Sequence, residues 1–214
     1  MALATLAACA DDTGPPAPQA STFRSLPTIL NGPAVDVEID GRTVATNLPF
    51  GQLSPATALA PGPHDVLFRA PAQSSSYALP WTATSGVDYT AFVIDSSGGI
   101  DPVVVTDTAA TPPPGRGALR IVHFAPHAPA IDVYRTEPGT SALTAVLTPF
   151  GYRVVSRYFQ ATPGTWSVVV SHAGLSDTAL ATGAIAIGDG QARTVVLLDS
   201  VGGRVTWRPV PDRN

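Results

Sequence analysis

Lysine is absent from this 214-residue chain, cysteine occurs once, and charged residues make up only 13% of it. A single cysteine excludes an internal disulfide, so folding has to rest on hydrophobic cores. The charged fraction is about half the usual ~25%, which leaves a surface of Ser, Thr, Pro and Ala. A formal net charge of -4 and a pI near 5.4 argue against nucleic acid or anionic lipid as an electrostatic partner. No run approaches the ~18 apolar residues of a membrane-spanning helix. No stretch sustains helical periodicity either. What the chain does have is 22 prolines, 19 glycines and many short β-branched runs. Its length allows one large domain or two of about 100 residues.

The lone cysteine lies in Leu6-Ala7-Ala8-Cys9. This resembles the lipobox of bacterial lipoproteins, in which an aliphatic residue and two small ones precede a Cys that becomes diacylated. Eight residues without a basic side chain fall short of a full secretory signal of roughly 15–30 residues. The expectation is therefore a truncated signal segment over 1–9 with lipid attached at Cys9. Two lipid chains anchor stably where one binds only marginally. Residues 10–22, "ADDTGPPAPQAST", have no apolar periodicity and read as a flexible tether. Ala10 stands where enteric bacteria place the Asp of inner-membrane retention, so the expected address is the outer membrane or cell surface.

The body repeats itself. "FRSLPTILNGPAVDV" (23–37) aligns with "LRIVHFAPHAPAIDV" (119–133) without a gap, placing Arg24 on Arg120 and Asp36 on Asp132. "LPFG" (48–51) matches "TPFG" (148–151), "LAPGPHDVLF" (59–68) matches "ATPGTWSVVV" (161–170), and "FVIDSSGG" (92–99) matches "VLLDSVGG" (196–203). The anchors keep their order, so the reading is two repeats, 23–107 and 118–214, joined by a Pro-rich linker over 108–117. Short strands with turn signals between them indicate β-sandwiches. "EIDGRTV" predicts a two-residue hairpin, because Asp-Gly tolerates the positive φ of a type I′ turn. The fold expected is all-β, with two tandem Ig-like or transthyretin-like sandwiches.

The anchors resemble a bacterial family, the domain of unknown function 4397. "LRIVHFAPHAPAIDVY" (119–134), "PFG" (149–151), "TPGTWSVVV" (162–170) and "ARTVVLLDS" (192–200) carry the resemblance in the second repeat, and Pro33 to Phe50 with "APGPHDV" (60–66) in the first. The opening strand of the first repeat departs, with Pro27 where the family has His. The resemblance implies a secreted or lipid-anchored protein, often with tandem copies, and transfers no catalytic residue.

Four constellations invite a sharper reading. "IDSSGGID" (94–101) resembles the nucleophile motif of trypsin-like proteases, but an extra Ser intervenes and no His base has a triad context. Asp and Ser bonding back to the backbone, with Gly supplying φ > 0, describe a turn. His123 and His127, with Asp132, could ligate zinc, yet Pro126 and Pro129 forbid the helix that would align them. Histidines bonded to backbone are the plainer reading. Asp36 and Asp132 alternate with core residues on their strands, so they face away from the core, with Arg24 and Arg120 as candidate partners on a neighbouring strand. Trp81, Trp166 and Trp207 are candidates for stacking on sugars or, more plainly, core residues.

The expected function is a non-enzymatic, lipid-anchored envelope module for binding, adhesion or accessory assembly. Its partners would be the membrane, through Cys9, and a protein or glycan. The runners-up are a carbohydrate-binding surface protein and a secreted hydrolase. No cofactor or metal is expected.

Overall fold

The computed structural model describes residues 18–96, 99–107, 111–128 and 130–213. Cys9, most of the tether, part of the linker and part of the Ser-Gly turn lie outside them. The first half forms β1 (Ser21–Pro27), β2 (Val35–Ile39), β3 (Arg42–Leu48), β4 (Thr57–Leu59), β5 (Gly62–Ala70), β6 (Ser75–Ala83), β7 (Asp88–Ser96) and β8 (Gly99–Thr106). The second forms β9 (Gly117–Phe124), β10 (Ala130–Thr136), β11 (Thr144–Gly151), β12 (Phe159–Ala161), β13 (Gly164–His172), β14 (Leu180–Ala181), β15 (Ile185–Ile187), β16 (Ala192–Ser200) and β17 (Arg204–Arg213).

Strand order repeats between the halves. One sheet runs β4-β1-β7-β8 in the first half and β12-β9-β16-β17 in the second; the other runs β3-β2-β5-β6 and β11-β10-β13-β14, with β15 also on β13. The first strand of each half pairs in parallel with a strand near its end, β1 with β7 and β9 with β16. Each half is thus an antiparallel sandwich closed by one long-range parallel pair. The Asp-Gly hairpin forms as its sequence dictates, with φ of 50° at Asp40 and 74° at Gly41.

Alternation along the strands explains two of the cores. Phe23, Val37, Phe68, Tyr89 and Val93 point into the first sandwich, and Ile121, Val133, Trp166, Val168 and Leu197 into the second. A third core lies between the sandwiches. Leu26, Phe92 and Ile94 from the first pack with Val122, Phe124, Val196, Leu198 and Val210 from the second. The β4-β1-β7-β8 and β12-β9-β16-β17 sheets therefore bury both faces, and the molecule is a stack of four sheets. This accounts for the near-continuous apolar runs "ALRIVHF" and "TVVLL", which read as strands buried on both sides.

Packing is tight where β9 begins. A Cβ placed on Gly117 would lie 2.4 Å from Cγ2 of Ile187 and 2.8 Å from the backbone oxygen of Gly188. The backbone oxygen cannot swing away, so Gly117→Ala is expected to lower stability by about 1–3 kcal/mol, read from thermal melts.

Candidate functional site

The repeat-shared arginines meet at the seam between the sandwiches. Arg24 donates from Nε to Thr90 Oγ1 (2.9 Å) and from Nη1 across the seam to the carbonyl of Pro211 (2.7 Å). Arg120 mirrors it, donating from Nε to Thr194 Oγ1 (2.9 Å) and from Nη1 to the carbonyl of Thr106 (2.6 Å). Each threonine passes its hydroxyl proton toward an aspartate at the end of its own half: Thr90 to Asp107, and Thr194 to Asp212 at 2.5 Å. Arg120 Nη2 lies 2.8 Å from Asp107, and Arg24 Nη2 lies 3.2 Å from Asp107 and 3.3 Å from Asp212.

The result is a reciprocal network of two arginines, two aspartates and two threonines. Side-chain exposure is 1% for Asp107, 0% for Asp212 and 4% for Arg120. Its charges balance, the condition under which buried ions are tolerated. Burial raises the Asp212 carboxyl above its ordinary range, and Arg120 opposes that shift. Tyr158 closes one side: its ring lies under the Arg120 guanidinium at 4.6 Å and its hydroxyl donates to Asp212 at 3.0 Å. Burial, ahead of the nearby Asp212, pushes the phenol up. These residues lock two sheets together; they are not arranged around an opening.

Asp36 and Asp132 do not pair with these arginines. They sit on β2 and β10, in the outer sheets, whereas Arg24 and Arg120 sit on β1 and β9 in the inner ones. Asp36 instead accepts from the backbone N–H of Asn47 (2.7 Å), and Asp132 from that of Gly174 (2.9 Å). The expectation failed because Arg and Asp lie on different sheets, which proximity in sequence cannot show. Thr90, Thr194, Asp107 and Asp212 were missed. Continuing the aligned repeat through "DYTAFVID" and "ARTVVLLD" to the paired strands would have found them.

A cleft opens at one end of the seam. Its volume is about 170 Å³, and residues from both halves line it, among them Asn31, Asp95, Phe124, His127, Tyr152 and Asp199. Asp199 is buried and accepts from the backbone N–H of His127 (3.2 Å) and from its Nδ1 (2.6 Å). The imidazole is thereby oriented while its side chain stays 68% exposed. An oriented imidazole is one component of a nucleophilic triad. The hydroxyl of Thr28 in the same lining, however, is committed to the carbonyl of Val93 (3.0 Å). Asp101 and Arg153 bridge the sandwiches nearby at 2.9 Å.

His123 is buried next to this cleft. Its Nε2 donates to the carbonyl of Ala128 (2.7 Å), and its Nδ1 accepts from the N–H of Ala125 (3.3 Å). Both ring nitrogens are thus engaged by backbone. Among the described residues no group of three or more His, Cys, Asp or Glu side chains could hold a metal ion. The tryptophans face cores: Trp166 is buried and donates to the carbonyl of Thr162 (2.8 Å), while Trp81 and Trp207 pack half-buried against the first and second cores. None of the three is a fully exposed indole.

His123 responds to pH in the opposite direction from His64 and His127. The hydrogen bond to Asp199 raises His127 above 6.5, and bonds to Ala60 and Asp40 raise His64. A folded state that holds its proton more tightly gains stability that is complete below the unfolded value and lost as pH rises through the folded one. Desolvation lowers His123, so its contribution is present above 6.5 and lost as pH falls below that value. His127→Gln is accordingly expected to lower the urea midpoint more near pH 6 than near pH 8.

No curated protein matches the chain. Among solved structures, a leucine-rich repeat protein from Bacteroides thetaiotaomicron aligns at 12% identity and a TM-score of 0.24, over 82% of this chain and 25% of that one. The chain thus spans a quarter of that protein's length, and a likeness this slight bears on neither fold nor function. The match that does bear on identity covers residues 7–134, more than half of the chain. It includes β1 to β8 and runs through Arg120 and His123 into β10. By that match the chain belongs to the family described as Domain of unknown function (DUF4397).

Proposed function

We propose that the chain is a non-enzymatic, lipid-anchored module of a bacterial cell envelope, carrying two copies of the family's sandwich and binding a protein or glycan partner. The observation that carries this reading is the lone cysteine in Leu6-Ala7-Ala8-Cys9, followed directly by a Pro-rich stretch and then a β body that begins at Ser21. The repeated strand order supports two copies. The buried seam supports rigid presentation, which lowers the ordering cost of binding. A lipid at Cys9 with Ala10 after it favours an outer-membrane or surface address.

Mass spectrometry of the N-terminal peptide from native membranes, with the gene carried on its own upstream region, tests the anchor. A diacylated Cys9 peptide, lost together with membrane association in Cys9→Ala, is the expected result. An unmodified peptide in the soluble fraction would overturn the anchor and the address.

A further inference from the structure

The outer face of the second sandwich carries a groove that the seam does not use. Ile131 and Val133 point into the core from β10, so Asp132 and Tyr134 point outward; Val168 and Val170 do the same from β13, leaving Val169 and Ser171 outward. Tyr134 pairs with Val169 across the strands, and Asp132 with Ser171. The connection after β13 folds back over this face. Asp132 holds the N–H of Gly174, and Asp177 holds both the N–H of His172 (3.0 Å) and its Nδ1 (2.5 Å). The wall of the groove is therefore tied down by its own hydrogen bonds. In the first sandwich β5 passes to β6 by a tight turn over 71–73, and no such wall is built.

The groove measures about 270 Å³, near the lower end of the range for small-ligand sites. One side is apolar, with the Tyr134 ring, Val169 and two leucines, Leu143 and Leu175, that are 55% and 59% exposed. The other side is polar, with Ser171, Asp177 and Thr178. Ser171 is 3% exposed and its Oγ has no hydrogen-bond partner. An orphaned hydroxyl in a groove wall calls for a ligand that brings its own polar group. An alkyl chain or apolar peptide would leave that buried hydroxyl unsatisfied. No Arg or His side chain lines the groove, which disfavours anions.

We infer that this groove, floored by Tyr134 and Val169 and bounded by Ser171 and the 172–178 connection, binds a neutral sugar ring. The C–H face of the ring would lie on Tyr134 and the flanking leucines. A ring hydroxyl would bond Ser171 Oγ once that hydroxyl, closed to water in the groove wall, turns about χ1 toward it, and Asp177 and Thr178 would meet the rim. The inference rests on reading the chain as a binding module and is independent of the lipid at Cys9. An acylated chain that binds no glycan would overturn this inference alone.

The test screens the full chain on a broad array of neutral oligosaccharides. It then titrates the ¹⁵N-labelled protein with cellotriose, maltotriose and N,N′-diacetylchitobiose, together with any array positive. Amide shifts are expected to cluster at Tyr134, Val169, Ser171 and 175–178. Tyr134→Ala and Ser171→Ala should each weaken binding by about 2- to 10-fold, the range of one lost contact. Ser171→Ala should do so without lowering the melting temperature, because it removes an unpaired hydroxyl. Absence of shifts there with every sugar would overturn the inference. So would binding that both variants leave unchanged, or shifts produced by an apolar peptide and by no sugar.

Discussion

Arg120→Met is expected to cost about 3–5 kcal/mol of folding stability, because it leaves an uncompensated charge inside the seam. With Arg120 gone, Arg24 alone faces Asp107 and Asp212, both nearly inaccessible to water. Methionine keeps most of the volume, so the loss isolates charge from packing. Two further measurements separate this account from simple damage. Adding Asp107→Asn to Arg120→Met restores neutrality, leaving Arg24 and Asp212 at 3.3 Å, and should recover part of the loss. The single variant should also be less impaired near pH 4–5 than near pH 7. Burial already raises Asp212 and Arg120 is what opposes it. Without that opposition Asp212 takes up a proton in the folded state, a gain present at low pH and lost as pH rises through the raised value. Urea midpoints across pH report both effects.

Phe124→Ala is expected to cost about 3–5 kcal/mol, the range for a phenylalanine removed from a packed core. Phe124 sits in the seam, its ring 5.0 Å from that of Phe92 and tilted by 43°, and it is 1% exposed. Phe68→Ala, inside the first sandwich at 0% exposure, is the comparison. Equal losses in the two variants mean that the seam is packed as densely as a sandwich interior. A loss below about 1 kcal/mol for Phe124→Ala would mean that the sheets only touch, since a site open to water leaves no cavity behind.

Much of the architecture is legible in the residues. The Asp40-Gly41 hairpin follows from two positive φ values that few other residue pairs accept. The β-branched runs and their turn punctuation read correctly as sandwiches. The seam is a different matter. "ALRIVHF" and "TVVLL" advertise strands buried on both faces, but nothing in either run names the surface that covers the second face. That surface is the equivalent sheet of the other half, about a hundred positions away in the chain. The same separation hid the partners of Arg24 and Arg120. Asp36 and Asp132 looked suitable because strand alternation turns them away from the core, where an arginine of a neighbouring strand could meet them. The intervening turn, however, carries the chain to the opposite sheet. Local pattern fixes which way a side chain points from its strand; sheet assignment depends on contacts that span the chain. The groove beside Ser171 escaped for a related reason. Its wall is a connection present in one half only, so aligning the repeats draws attention away from it.

The seam makes the two sandwiches one cooperative body. Calorimetric unfolding of the full chain, followed in parallel by tryptophan fluorescence, tests it most directly. Trp81 reports on the first sandwich, and Trp166 and Trp207 on the second. A single transition is expected, with calorimetric and van't Hoff enthalpies in agreement, and in Phe124→Ala the Trp81 signal is expected to shift together with the others. Two separable transitions, or a Trp81 midpoint that Phe124→Ala leaves in place, would contradict it.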